Sequence, residues 1–309
     1  MKKFSRNLFL FFLYPFFVLL ILVILHILLP KASDYDYDGG LKIKHQLLLS
    51  NKNKKKIIFI GGSNLAQGLD SKKIQDNFSS YKIINYGQRF DTGLEFYLDE
   101  ISNYLGKDDI VVIVPEYEMI LNNYFGNLTL TRIWLEGLNS YPLENYELDI
   151  RSVIDYSIYR ILLLKNIQIG SFPKQNNTNN ILGFNEFGDF TLHWFWKHKK
   201  FENYNEVISL NYKKSTFAKA TKFLALSKTN SIKVVVVPPM TAKSHFLKIN
   251  KLVNFNTAFW LKSGQSYLCN PNDMVIDDSF FYDSPYHLLY QGVQIKTDKI
   301  IQFLKNFIN

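Results

Sequence analysis

Lys56-Ile57-Ile58-Phe59-Ile60-Gly61-Gly62-Ser63-Asn64 is the stretch from which the fold can be read. A short continuous apolar run ending in two glycines predicts a strand buried on both faces and leading into a tight turn. Serine follows at once, at the strand's carboxyl end. Residues 69–78 are amphipathic, with Asp70 or Ser71 as N-cap, and predict a helix. Residues 81–86 (YKIINY) predict a second strand that ends at Gly87. Residues 92–105 have helical spacing at Leu94, Tyr97, Leu98, Ile101 and Leu105. Residues 109–114 (DIVVIV) predict a third strand, stopped by Pro115. Strand and helix alternate, which implies a parallel sheet with helices on both faces, a three-layer flavodoxin-like α/β fold. Residues 233–237 (KVVVV) resume the sheet before Pro238-Pro239. Residues 275–276 read as a last short strand, and 295–307 as an amphipathic terminal helix.

Sheet strands at both ends of the chain argue for one domain, residues 56–309, with a mostly helical insertion at about 119–215. The insertion is rich in Asn, Tyr and Trp, and its QNNTNN tract reads as a surface loop. A chain of 309 residues, 47% hydrophobic and 20% charged, has ordinary globular composition, which excludes a disordered or collagen-like chain. The single cysteine, Cys269, excludes a disulfide framework and a cysteine-based zinc cluster. The net charge is +9. Three of the cations, Lys2, Lys3 and Arg6, precede the domain with no acid among them, so the domain's own surplus is too modest to argue for nucleic acid. The lysines of 52–56 read as a solvated approach to the strand.

Residues 1–30 read as a separate element. From 8 to 29 the chain is almost wholly Leu, Phe, Ile and Val, interrupted by Tyr14, Pro15 and His26. At about 1.5 Å per residue this run extends roughly 33 Å, enough to cross a bilayer core. Cations precede it, and Asp34, Asp36 and Asp38 follow. The expectation is an uncleaved single-pass signal anchor in the cytoplasmic membrane, with its N-terminus inside and the domain outside. Residues 31–55 then read as a polar linker and lead-in.

Ser63 sits where a nucleophile needs to be, on a glycine-rich turn that leaves its hydroxyl uncovered and aims backbone N–H groups beside it. A dinucleotide or P-loop reading fails, because neither G-x-G-x-x-G nor G-K-[ST] is present. Serine needs a base, and the chain has six histidines. His287 stands out, because Asp283 lies four residues upstream in a proline-containing loop. That spacing lets a carboxylate hold one imidazole nitrogen while the other faces Ser63.

The G-G-S-N turn after the first strand, the glycine closing the second, and D-x-x-x-H-L-x-x-x-G before the last helix together resemble the SGNH (GDSL-like) hydrolase superfamily. The membrane-anchored branch related to surface-polysaccharide and teichoic-acid acylation is the most similar. The resemblance covers roughly residues 56–118 and 232–307. It implies Ser63 as nucleophile, His287 as general base and Asp283 as its orienting acid. It also implies an oxyanion hole built from the Ser63 and Gly87 N–H groups. Two positions depart from the family pattern. The acid usually lies three residues before the histidine, where this chain has Ser284. The family's Gly-x-Asn-Asp block is replaced by Pro115-Glu116-Tyr117-Glu118, so the Asn64 or Tyr117 side chain is the candidate third donor.

Candidate substrate-binding residues are Tyr117, His193 and Trp194. The aromatic run around the last two offers faces for a sugar, or packs on the domain. Glu116 and Glu118 lack a second acid to form an acid/base pair. No cofactor is expected, and no metal-ligand spacing is visible. The expected function is a membrane-anchored serine esterase or O-acyltransferase acting on acyl esters of cell-surface glycans. The alternative is a catalytically degenerate accessory protein that binds a polysaccharide or a membrane-bound acyltransferase.

Overall fold

The computed structural model describes residues 2–121, 127–138, 150–168, 180–201 and 209–308. Helix α1 (Lys2–Leu28) forms over the N-terminal apolar run and contains Pro15. Phe11, Tyr14, Ile27 and Leu28 are among its exposed side chains. Among the described residues, no helix is long and apolar enough to cross a membrane, so the fold lends no support to the spanning reading of this segment.

The linker expected after it is instead packed structure. Residues 32–39 form two 3₁₀ turns. Asp36 and Asp38 are buried, and Arg132 reaches both, its Nη2 donating to Asp36 Oδ1 and its Nη1 to Asp38 Oδ2 at 2.5 Å each. An acidic run usually faces water; here buried guanidinium partners take it inside. Helix α2 (Gly40–Ser50), unmarked in the sequence by any clear cap, then covers part of the core with Leu41 and Leu48.

The central element is a four-stranded parallel sheet: β1 (Lys56–Gly61), β2 (Lys82–Asn85), β3 (Ile110–Val114) and β4 (Lys233–Val236), in the order β2-β1-β3-β4. All of β1 is buried. Its side chains alternate between two separate cores, as strand geometry requires. Ile58 and Ile60 join one core with Val111, Ile113 and α5 (Gly93–Ser102). Ile57 and Phe59 join the other with Val112, Val114, α4 (Ser71–Asn77) and α11 (Tyr290–Ile308). The α4 start matches its predicted cap, with Asp70 Oδ1 accepting from Lys73 N–H at 3.0 Å.

Lys56 is not solvated as predicted. It is fully buried, its Nζ 2.6 Å from Asp109 Oδ2 at the amino end of the sheet. Where described, the expected insertion mixes helix with irregular chain: residues 180–201 are mostly turns around a 3₁₀ segment (Ile181–Gly183). It contains α6 (Asn127–Glu136) and α7 (Ile150–Gln168), which pack together. The expected QNNTNN loop lies outside the described residues apart from Asn180. Helices α8 (Lys214–Thr229), α9 (Lys243–Lys248) and α10 (Asn250–Ser263) follow before the terminal α11. Val275–Ile276 is a strand, β6, but not the last strand of the main sheet. It pairs in parallel with β5 (Thr241–Ala242) in a sheet of two.

The β1–β3 register runs from Ile57↔Ile110 to Gly61↔Val114. It therefore sets the residues just past β1 beside those just past β3, at the carboxyl end of the sheet. Ligand crevices of open α/β sheets form at this end.

Candidate active site

Ser63 opens the short helix α3 (Ser63–Ala66) directly after the Gly61-Gly62 turn. A Cβ on Gly62 would lie 2.5 Å from Glu116 Oε1. A Cβ on Gly87 would lie 2.4 Å from the Leu65 side chain. Both glycines are required by close approach, which lets the ends of β1, β2 and β3 converge around Ser63.

His287 arrives from the opposite end of the chain. Its loop is pinned on several sides. Tyr282 N–H donates to His287 O at 2.7 Å, and Ala242 N–H to Pro285 O at 3.0 Å. Tyr286 O–H donates to Glu118 Oε2 at 2.9 Å, tying the loop to the residues after β3. The imidazole Nε2 stands 2.9 Å from Ser63 Oγ, and Nδ1 stands 2.7 Å from Asp283 Oδ1. The structure thus brings Ser63, His287 and Asp283 into one hydrogen-bonded line. Burial works against the charge on Asp283, but the hydrogen bond and charge of His287 overcome it and hold the carboxyl below its usual range. Ser284 stands where the sequence resemblance implies an acid. Its Oγ accepts from Tyr286 N–H at 3.1 Å, a purely local bond.

Two of the expected oxyanion donors are engaged elsewhere. Gly87 N–H donates to Asn85 Oδ1 at 3.0 Å. The Asn64 side chain is fully buried and donates to Val114 O at 3.1 Å, facing the sheet rather than the crevice. Tyr117 is also fully buried, in a core with Leu121 and Leu252. None of the three is placed as the sequence reading required.

Glu116, set aside in that reading, stands in the crevice instead. Its Oε1 accepts from Ser63 O–H and from Asn64 N–H, both at 2.9 Å. Burial pushes this carboxyl up to about 7, with the Asn64 N–H and His287 pulling the other way. Below α3, the buried Lys296 donates to Asn64 O at 2.6 Å. Burial pushes its ammonium down to about 7, opposed by the charge of Glu116. No sequence motif marks Glu116 or Lys296. The one available signal is positional: Glu116 follows β3 just as Ser63 follows β1.

A cavity of about 270 Å³ opens on these groups, lined by Ser63, His287, Glu116, Tyr37, Arg89 and Asp91 among others. A larger hollow of about 620 Å³ lies between α5 and α8, against Leu98, Lys219 and Phe223. It contains no histidine or cysteine, so volume does not locate the chemistry here.

His193 and Trp194 are not brought to the Ser63 cavity. His193 is fully buried, its Nε2 3.0 Å from Leu288 O and its ring stacked on Phe190. Burial drives its imidazole down to about 3, so it is a neutral core residue. Trp194 packs on Tyr290 and lines a separate surface hollow with Phe195 and Trp196. The neighbouring Asp189 is interior too, accepting from Ser71 N–H and O–H and from Asn85. Among the described residues, no cluster of His, Cys, Asp and Glu is arranged to hold a metal.

No family model matches the chain, and no curated protein does. A solved structure described as "a putative platelet activating factor from Streptococcus pneumonia" is 12% identical, with 88% of this chain and 92% of that one covered, at a TM-score of 0.33. A superposition that loose carries no argument about fold or activity.

Proposed function

We propose that this chain is a serine esterase or O-acyltransferase of the SGNH type, acting on acyl esters of a glycan. The observation that carries the reading is the line from Asp283 through His287 to Ser63, with contacts of 2.7 and 2.9 Å. Both distances lie within the range that proton transfer needs. In this reading Ser63 Oγ bonds to the acyl carbon as its hydrogen passes to His287 Nε2. Asp283 holds the Nδ1–H and stabilises the imidazolium. The ester C–O bond then breaks, and the departing alcohol oxygen takes the proton from His287. Water or a second hydroxyl attacks the acyl-serine by the same route in reverse and frees Ser63.

The cavity's polar lining favours a hydroxyl-rich substrate. Asp91 Oδ1 is a buried acceptor with no hydrogen-bond partner among the described residues. Arg89 and the Tyr37 ring stand beside it. Planar polar groups next to an aromatic face suit a sugar. We further propose that residues 8–29 tether the domain to the outer face of the cytoplasmic membrane. This rests on the apolar run, the cations before it and the exposed side chains of α1. Full-length protein should stay with the membrane fraction through an alkaline wash; release by that wash would remove the tether.

One observation favours the accessory-protein reading: the Gly87 N–H and the Asn64 side chain are engaged elsewhere. Glycan binding that survives both Ser63→Ala and His287→Ala, with no turnover of p-nitrophenyl acetate by the parent, would establish it. A fluorophosphonate that labels the parent chain and not Ser63→Ala supports the enzyme. Equal labelling of the two removes Ser63 from the mechanism.

A further inference from the structure

We propose that Glu116, in its neutral protonated form, is the oxyanion donor of this site, its Oε2–H supplying the hydrogen bond that Asn64 and Gly87 do not. The inference rests on Ser63 being the nucleophile and adds a second residue to that reading.

The proton inventory carries it. Ser63 Oγ has one hydrogen and stands 2.9 Å from two acceptors, His287 Nε2 and Glu116 Oε1. An ionised Glu116 competes with His287 for that hydrogen and sets a negative charge where an oxyanion must form. A neutral Glu116 brings no such charge, and its uncharged Oε1 is the weaker competitor for that hydrogen. Its Oε1 already accepts the Asn64 N–H and faces the Ser63 hydroxyl, so the acid proton belongs on Oε2. Glu116 lines the cavity, and both of the hydrogen bonds described for its carboxyl fall on Oε1, leaving Oε2 for the acid proton. Oε2 is thus one carboxyl width from Oε1, the atom that Ser63 Oγ meets at 2.9 Å. A buried carboxylic acid kept neutral so that it can donate is an established device of enzyme sites.

In the acylation step the Ser63 Oγ–C bond forms, and the hydrogen of Ser63 goes to His287. The carbonyl π pair moves onto oxygen, which accepts the Glu116 Oε2–H without taking its proton. Collapse returns the pair, breaks the bond to the alcohol, and delivers the His287 proton to it. No proton is left over.

The surroundings hold Glu116 near the required state. Burial is the main influence, pushing the carboxyl up to about 7. The groups facing it are His287 and Tyr286 from the histidine loop, Glu118 from its own turn, Tyr97 from α5 and Lys296 from α11. Arg89 and Asp91 line the same cavity.

The experiment is hydrolysis of p-nitrophenyl acetate by the full chain from pH 5 to pH 9, comparing the parent with Glu116→Gln, Glu116→Ala and Lys296→Met. Fluorophosphonate labelling of each is run alongside. The parent should lose kcat/KM about tenfold per pH unit above about 7. Glu116→Gln places an N–H at the Oε2 position and should stay within about tenfold of the parent's optimum while losing that alkaline fall. Glu116→Ala should lose kcat by about 10²–10³-fold with KM little changed. Should the alanine variant fail to fold, the pH profile of Glu116→Gln decides alone. Glutamine as slow as alanine overturns the proposal, and so does an alkaline fall that persists in Glu116→Gln and vanishes in Lys296→Met. In both cases Ser63 is still labelled. A parent chain whose Ser63 is not labelled overturns the serine-enzyme reading itself.

Discussion

Asp283 Oδ1 and His287 Nδ1 meet at 2.7 Å although the carboxylate sits four residues upstream of the imidazole, one position further than the SGNH resemblance implies. The loop between them absorbs the extra residue through Pro285 and the Ser284–Tyr286 bond. Asp283 is the carboxylate that meets the imidazole, and in the proposed mechanism it, rather than Ser284, orients His287. Asp283→Asn should lower kcat for p-nitrophenyl acetate by up to about 10⁴-fold, because an amide favours the wrong imidazole tautomer. Ser284→Ala should leave kcat within a few-fold of the parent. Comparable losses in both variants would mean that the loop's shape, rather than the Asp283 carboxylate, is what matters.

Glu116 and Lys296 make opposite contributions to stability as pH changes. Glu116 is raised from 4.5 to about 7 in the fold, so the folded chain binds more protons than the unfolded one between those values. Its contribution is present below 4.5 and lost as pH rises through about 7. Lys296 is lowered from 10.5 to about 7, so the unfolded chain binds more protons in that window. Its contribution is present above 10.5 and lost as pH falls through about 7. Together they predict a stability minimum near neutrality. Urea denaturation from pH 4 to pH 10 should show a dip there that Glu116→Gln shallows on its acid side and Lys296→Met on its alkaline side. Unchanged curves in both variants would contradict the assignment.

Arg132 is the bond between the segment after α1 and the helical insertion. It contacts Asp36, Asp38 and Glu136, all buried. Replacing it leaves three carboxylates without their central cation. Arg132→Met should cost about 3–5 kcal/mol in urea denaturation. A loss below about 1 kcal/mol would mean that Asp36 and Asp38 are satisfied without it.

Much of this was legible in the chain itself. Continuous apolar runs at β1 and β3, short, rich in Ile and Val and closed by Gly61-Gly62 and Pro115, announce buried parallel strands. Ser63 and His287 stand out because their neighbours are diagnostic: two glycines on one side, an aspartate and a proline on the other. Glu116 was illegible for the converse reason. Its role comes from the register that pairs Gly61 with Val114, and register leaves no local mark on a single glutamate. Asp36 and Asp38 misled because an acidic run near a terminus usually meets water, while their partners Arg89 and Arg132 lie far along the chain. His193 and Trp194 misled because an aromatic cluster has the same composition whether it packs a core or lines a crevice.

The central claim is that Ser63 is an activated nucleophile. The most direct measurement is mass-spectrometric mapping of a fluorophosphonate adduct on the full-length chain, with His287→Ala alongside. The account predicts one adduct, on Ser63, formed quickly in the parent and at least 10²-fold more slowly without the imidazole. An adduct on another residue, or labelling of Ser63 at the same rate in His287→Ala, would contradict it.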